Sequence, residues 1–267
     1  MLDLHAAAFA LGVALALAAV VWLASIAKRD VSIVDSVWSL FFVVSAGVYA
    51  VAANVPLATA RSVLILALLV AWAVRLCVYI TARNHGHGED RRYQAIRARN
   101  EPGFAWKSLY LVFGLQAVLA SIVVTCVHVA LGEARPLRVG DGVGLFLGLA
   151  GLVFETVADL QMARFKAEPR NRGRVLDTGL WRFSRHPNYF GEATMWWGMF
   201  IVAAAGGGAW TVFSPLLMTF LLLKVSGVAL LEQDIGERRP AYGDYIARTP
   251  AFFPWRPKPA SPDAAPG

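Results

Sequence analysis

Apolar stretches separated by short polar segments run along nearly the whole 267-residue chain. Each is close to the ~20 helical residues needed to cross the hydrocarbon of a bilayer, and about twice the length of a barrel strand. The first has no basic segment before it and is followed directly by Lys28-Arg29-Asp30, so we interpret it as a retained span rather than a signal peptide. The pattern predicts an all-α polytopic membrane protein with seven transmembrane helices, over residues 6–27, 31–53, 62–82, 109–131, 142–163, 189–205 and 209–231.

Composition supports this class. Hydrophobic residues make up 57% of the chain and charged residues only 16%, and the mean hydropathy is +0.53. A long disordered protein is excluded by that apolar content, and a disulfide scaffold by the presence of only two cysteines. The Pro- and Ala-rich end predicts a disordered tail over 257–267, which leaves residues 1–256 as a single membrane domain.

Most of the cations lie in one set of loops. Twenty of the 25 Lys and Arg follow spans 1, 3 and 5 or lie in the tail, whereas Arg61, Arg135 and Arg138 fall on the other side. The positive-inside rule then places the N-terminus outside and the C-terminus in the cytoplasm, which predicts a multi-pass integral membrane protein. The net charge of +7 therefore reflects topology and anionic ligands, and no nucleic acid is expected as a partner.

Ionisable residues inside spans are costly and are functional candidates. Asp35 in span 2 has two interpretations, a structural ion pair with Arg75 of span 3 or a functional acid. Glu155 and Asp159 lie four residues apart on one face of span 5. They either sit solvated at the interface or belong to a site, and their mutual repulsion argues against an idle pair. His85 and His87 have no well-spaced third ligand, so no metal is expected.

The two predicted cytoplasmic loops, 83–93 and 164–189, combine cations, glycines and aromatic residues. Arg binds phosphate through charge-assisted hydrogen bonds, and the helix predicted to start at Pro187 offers free N–H groups to an anion. The pattern predicts an anionic, nucleotide-like ligand; the alternative is an ordinary basic loop beside anionic lipid. Neither a dinucleotide-binding fingerprint nor a P-loop occurs, so a nucleotide must be bound by the helical bundle itself.

A set of residues runs along the second half of the chain from Glu155 and Asp159 through Arg174 to Asn188 and Glu192. This set resembles the C-terminal domain of steroid 5α-reductases and their bacterial relatives. The similarity covers most of the chain from Asp35 onward and is strongest over 155–255. Gly88-Glu89-Asp90-x-Arg92-Tyr93 matches the bacterial group, and the closing 242–255 fits the same pattern. The residues that carry the resemblance are Glu155, Asp159, Arg174, Gly179-Leu180, Asn188-Tyr189 and Gly191-Glu192.

The resemblance implies a seven-helix oxidoreductase of lipid or steroid metabolism. Its bacterial relatives imply a location in a bacterial inner (plasma) membrane. It implies that a cytoplasm-facing cavity binds NADPH and that hydride passes to the β-carbon of an enone. For a steroid this converts a 3-oxo-Δ4 substrate to its 5α-dihydro product. By matched position, the NADPH contacts are Arg83, Glu155, Asp159, Lys166, Arg172, Arg174, Asn188, Tyr189 and Glu192, with Tyr79 beside Arg83.

Substrate recognition departs from the animal enzymes, which carry a Gln-Glu pair in span 2 and a Tyr in span 3. Hydride addition builds negative charge on the carbonyl oxygen, which needs a hydrogen-bond donor. A carboxyl desolvated in a span stays protonated and can donate, so Asp35 is the first catalytic candidate. Trp72 and Tyr79 are the other catalytic candidates, and Trp38, Trp72 and Trp196 are expected to bind an apolar substrate that enters from the bilayer. Membrane lipid is the only other partner expected, and the protein is expected to be a monomer.

A membrane methyltransferase of the isoprenylcysteine or phospholipid type is the main alternative. Those enzymes share an Arg-His-Pro-x-Tyr stretch, here 185–189, followed by a Glu, a Gly and a Tyr, here Glu232, Gly236 and Tyr242. S-adenosylmethionine would then replace NADPH. Asp159 and the cation-rich 164–174 favour the phosphorylated cofactor. The third possibility is a non-enzymatic lipid-binding or transport component, which would tolerate substitution of Asn188.

Overall fold

The structure, a computed structural model, describes residues 2–133, 135–225 and 242–259. Over these ranges the chain is helical and contains no strand, as expected. Residues 226–241, which include the end of the seventh predicted span, Glu232 and Gly236, lie outside the described residues, as do 260–267 of the predicted tail. The helices are α1 Leu4–Lys28, α2 Ile33–Ala52, α3 Ala60–Asn84, α4 Arg91–Asn100, α5 Phe104–Val123, α6 Thr125–Leu131, α7 Val139–Ala167, α8 Pro187–Ala205, α9 Ala209–Val225 and α10 Tyr242–Arg248.

Five of these helices are long and apolar enough to cross a membrane, namely α1, α2, α3, α5 and α7. They coincide with the first five predicted spans, so a membrane protein with several transmembrane helices is confirmed. The fourth predicted span is divided, because the helix stops at Val123 and α6 begins at Thr125. The predicted number of seven spans and their predicted orientation are not tested by these five helices and stay predictions.

Two compact units divide the chain. Unit 1 contains Met1–Leu145 and Met199–Ser214, and unit 2 contains Phe146–Gly198 and Pro215–Gly267.

Small side chains determine how unit 1 packs. The buried face of α1 is an alanine stripe with a spacing of four residues, Ala6, Ala10, Ala14 and Ala18, each at most 3% exposed. Such a stripe lets a neighbouring backbone approach closely, which is how helices associate where lipid removes the hydrophobic driving force. The helix begins at Asp3, whose carboxylate accepts a hydrogen bond from the N–H of Ala6 at 3.0 Å.

An ion pair that is almost completely buried ties α3 to the start of α7 in unit 1. The guanidinium of Arg61 donates to both carboxylate oxygens of Asp141, at 2.9 and 2.7 Å, and to the carbonyl oxygen of Glu133. The two side chains are 1% and 0% exposed. The sequence placed Arg61 in a short loop between spans, whereas its side chain is one of the largest fully buried ones.

Candidate functional site

Two glycines set the distance between α7 and α8 in unit 2. A Cβ added to Gly151 would lie 2.4 Å from the backbone nitrogen of Met195, and one added to Gly191 would lie 2.5 Å from that of Glu155. Only hydrogen fits at either position, so the two backbones are in direct contact. Gly151 lies beside Met195, whereas Glu155, one turn further along α7, lies beside Gly191, one turn earlier in α8. The two helices are therefore antiparallel.

This crossing brings together four of the residues predicted to bind cofactor. Glu155 and Glu192 flank the glycine contact, and the next turn of each helix carries Asp159 and Asn188. The three carboxylic residues are buried: Glu155 is 2% exposed, Asp159 3% and Glu192 5%. The Oδ1 atom of Asn188 is buried and accepts no hydrogen bond from any part of the chain that the structure describes. These four residues form a buried group of oxygen acceptors at the N-terminus of α8, which we call the acceptor cluster.

The predicted phosphate-binding cations occupy a different environment. Lys166 lies in the last turn of α7, and Arg172 and Arg174 follow in the loop; all three side chains are exposed. The amide nitrogen of Asn171 donates to the carbonyl oxygen of Phe165 at 3.0 Å, which turns the chain back after the helix. Unit 2 therefore carries an acceptor cluster and a basic loop joined by one helix, α7.

The loop that leads into α8 is hydrogen-bonded to α7. The indole N–H of Trp181 donates to the carbonyl of Ala158 at 3.0 Å, and the side-chain oxygen of Gln161 accepts from the N–H of Leu180 at 2.9 Å. Gly179 has a φ of +61°, and a Cβ there would lie 2.6–2.7 Å from the amide of Gln161. The loop is thus seated against the turn that holds Asp159.

On its other side this loop is held by the C-terminal segment 242–259. The hydroxyl of Tyr245 donates to the carbonyl of Trp181 and lies 3.2 Å from that of Ser184. Backbone bonds from Arg185 to Pro250 and from Trp255 to Phe183, both 2.9 Å, complete the contact. Lys258, inside the predicted tail, also donates its N–H to Arg248 at 2.9 Å.

Arg185 is mostly buried and is used by the protein itself. Its Nη1 atom donates to the carbonyls of Ile246 and Thr249, at 3.2 and 2.5 Å. His186, 5% exposed, stacks on the half-buried Tyr189 with parallel rings at 5.6 Å. The Arg-His-Pro-x-Tyr stretch therefore contributes to the scaffold, and the presence of its arginine does not distinguish between cofactors.

The carboxylate of Asp35 in unit 1 has partners that differ from those expected. Its Oδ2 atom accepts from Nη2 of Arg92 and its Oδ1 atom from the hydroxyl of Tyr93, both at 2.6 Å. The structural alternative, a pair with Arg75, was therefore wrong in its partner. Both oxygens of Asp35 therefore accept hydrogen bonds from residues of α4, and its role as a proton donor stays a prediction.

Burial raises the pKa of Tyr93 well above its usual value, and the neighbouring carboxylate of Asp35 raises it further. Its phenol is therefore a neutral hydrogen-bond donor at physiological pH. Desolvation lowers the pKa of Arg92, but the carboxylates of Asp35 and Asp90 outweigh it and the net direction is upward. The sequence motif Gly-Glu-Asp-x-Arg-Tyr was the available signal for this arrangement, since it supplies both donors.

The same motif fastens the loop after α3 to the turn between α1 and α2. Glu89 accepts from both the N–H of Val31, at 2.9 Å, and the guanidinium of Arg97, at 2.8 and 3.0 Å. Desolvation raises the pKa of Glu89, but these hydrogen bonds outweigh it and hold the pKa below 4.5. Asp90 caps α4 through the N–H of Arg92. Glu89 and Asp90 thus act structurally.

Aromatic rings of α2 and α3 pack against each other in unit 1. Trp38 and Trp72 contact each other at 6.4 Å between ring centroids, and Phe42 packs edge-on against both. Two of the three predicted substrate-binding tryptophans are therefore neighbours, whereas Trp196 is a fully buried side chain of unit 2. Tyr79 and Arg83 lie further along α3, toward its C-terminal end.

Comparison with known proteins gives two matches. The chain is 26% identical over 267 residues to the uncharacterized protein C594.04c of Schizosaccharomyces pombe, covering 88% of this chain and 76% of the yeast protein. No solved structure matches. Residues 21–249 match a family described as protein of unknown function DUF1295. Since this match covers most of the chain and all the residues of the acceptor cluster, the chain belongs to the DUF1295 family.

Proposed function

We propose that the protein is an NADPH-dependent reductase that acts on the C=C bond of an apolar enone, with a 3-oxo-Δ4 steroid as the first substrate class to test. The observation that carries the proposal is the crossing of α7 and α8, where Gly151 and Gly191 align Glu155, Asp159 and Glu192 with Asn188. Its buried oxygen acceptors and the basic loop at the end of α7 together match the two halves of a phosphorylated nucleotide.

The residues of unit 2 fit such a ligand chemically. The buried Oδ1 atom of Asn188, without a donor among the described residues, suits the amide N–H₂ of a nicotinamide. Carboxylates accept hydrogen bonds from ribose hydroxyls, and we assign this role to Glu155, Asp159 and Glu192. Exposed Lys166, Arg172 and Arg174 suit phosphate groups, for which Arg offers bidentate donors. Tyr189, on the first turn of α8, is the remaining contact expected there.

NADPH supplies the hydride when bound. The protein's contribution is to orient the ring that carries it, through Asn188, and to exclude water around the reacting atoms. Burial of the acceptor cluster is consistent with that role, because hydrogen bonds in a water-poor site are stronger than in solvent.

The apolar substrate is proposed to bind in unit 1 against Trp38 and Trp72. Tyr79 is the proposed donor to the carbonyl oxygen, because a phenol is neutral at physiological pH and Asp35 is engaged by Arg92 and Tyr93. Asp35 then acts by holding the start of α2 against α4. We also retain the proposals of Arg83 as a cofactor contact and Trp196 as a substrate contact.

The topology proposed with this function has seven spans, an external N-terminus and a cytoplasmic C-terminus, in a bacterial inner membrane. The one-sided distribution of cations supports it. Besides the five long spans, α8 has 19 residues and α9 is a shorter apolar helix, and these are the candidates for the sixth and seventh spans. The protein is proposed to act as a monomer surrounded by membrane lipid.

Ligand-induced stabilisation of the detergent-purified protein tests the proposal. A ligand at 100 times its Kd stabilises the folded state by about 2.7 kcal/mol, which raises the Tm of a chain of this size by roughly 5–10 °C. We expect that shift with NADPH, and its loss in Asp159→Asn. Asp244→Asn, an exposed acid on α10, is the matched control and keeps the shift. The absence of any shift with NADPH in the wild type would reject the reductase.

A second candidate, an S-adenosylmethionine-dependent methyltransferase, is favoured by one observation. Three buried carboxylic residues in one cluster suit a ligand that carries a sulfonium and an ammonium group rather than phosphates. The same assay separates the two, because stabilisation by S-adenosylmethionine alone assigns the site to methyl transfer. Turnover of progesterone with NADPH, followed by the loss of absorbance at 340 nm, then tests the substrate class.

A further inference from the structure

The loop 179–186 lies between Asp159 and Asn188 along the chain, and none of its residues is among those assigned to the cofactor. Trp181 is central to this connection. Its side chain donates to the carbonyl of Ala158, the residue before Asp159, at 3.0 Å. Its own carbonyl accepts from the hydroxyl of Tyr245.

Both side chains are buried, Trp181 at 8% and Tyr245 at 2% exposure. Their polar atoms are therefore shielded from water, and a hydrogen bond broken here is not replaced by solvent. Six residues after Trp181 the chain enters α8, whose first turn carries Asn188. The seating of Trp181 on α7 consequently fixes where α8 begins relative to Asp159.

We propose that Trp181 and Tyr245 are positioning residues of the cofactor site, and that Tyr245 is the side chain through which the C-terminal segment supports that site. This inference rests on the proposed function for its ligand. Tyr245 holds the backbone of the loop, and Trp181 transmits that position to the turn of Asp159. Neither side chain needs to touch the ligand.

The test uses Trp181→Phe and Tyr245→Phe, which keep an aromatic ring and remove one donor each. Trp255→Phe is the matched control, since this side chain is 74% exposed and the hydrogen bond to Phe183 comes from its backbone. Each of the two variants is expected to raise the Kd for NADPH about fivefold, the effect of one net hydrogen bond, and the control less than twofold. Isothermal titration of the purified full chain measures the Kd.

Because the two residues act in series, the double variant is expected to raise the Kd little more than the stronger single variant. A purely structural role would lower the Tm of the ligand-free protein and leave the Kd within twofold of wild type, and that result would overturn the inference. If wild type fails to bind NADPH but binds S-adenosylmethionine, the proposed reductase fails while the same Kd comparison, made with S-adenosylmethionine, still decides the positioning role. Binding of neither ligand would overturn both.

Discussion

The glycine contact between α7 and α8 gives the sharpest test of the site, through the substitution Gly151→Ala. The new Cβ would meet the backbone nitrogen of Met195 at 2.4 Å and the carbonyl oxygen of Gly191 at 2.6 Å, whereas ordinary contact begins at 3.4 Å. The helices must therefore separate by about 1 Å, and since the obstacle is backbone, no side-chain rotation can relieve it. Overpacking of this kind costs about 1–3 kcal/mol, and the gain in helix propensity returns about 1 kcal/mol.

Gly142→Ala is the matched control, because it lies on the same helix, receives the same gain in propensity and has nothing within 4 Å of the new Cβ. We expect Gly151→Ala to unfold several °C below Gly142→Ala and to raise the Kd for NADPH at least tenfold, since Glu155 and Asp159 move away from Asn188. Thermal unfolding and isothermal titration in one detergent measure both. Equal Tm and equal Kd in the two variants would refute the idea that this crossing sets the site.

Three further outcomes are expected. Asn188→Ala should raise the Kd for NADPH at least tenfold and leave the Tm of the ligand-free protein within about 2 °C of wild type, because the buried Oδ1 atom has no donor among the described residues. Isothermal titration measures the Kd, and unfolding scans measure the Tm. Arg61→Met leaves Asp141 buried without its counter-ion and should cost about 3–5 kcal/mol, most of which Arg61→Met with Asp141→Leu should restore in the same unfolding scans. The hydrogen bonds to Glu89 hold its pKa below the ordinary value of 4.5, so the stability that Glu89 contributes is complete above that pH and is lost as the pH falls further. Measurements of Tm against pH should show this loss in the wild type and a weaker loss in Arg97→Gln.

Hydrophobic periodicity predicted the helical class and the first five spans, since the length of an apolar run is a local property. The pairing of ionisable residues was not predictable in the same way. Asp35 is bonded to Arg92, 57 positions away, and Arg61 to Asp141, 80 positions away. A charged residue in a span indicates that a partner exists, because an unpaired one is too costly, but the choice among distant candidates depends on the packing.

The resemblance named the residues of the acceptor cluster, but it did not predict the glycine contact that brings them together. Nothing in the spacing of Gly151 and Gly191 along the chain indicates that the two backbones touch, because forty residues separate them and glycines are frequent in membrane helices. Trp181 was missed for a related reason. Tryptophans in a membrane protein are usually interpreted as interface anchors, and only the position of the Ala158 carbonyl identifies this one as a hydrogen-bond donor to α7.

The choice between NADPH and S-adenosylmethionine depends on which residues of the shared motif remain available to a ligand. Arg185 donates to carbonyls of the C-terminal segment, so its presence does not favour either cofactor. What can differ between such enzymes is the chemistry that this scaffold presents, namely Asn188 and the carboxylates at the crossing, and the cations of 164–174. Removing a carboxylate changes the balance of charge at the crossing, whereas removing Arg172 changes it only in the loop. An NADPH site should therefore lose affinity with either change, and an S-adenosylmethionine site only with the first.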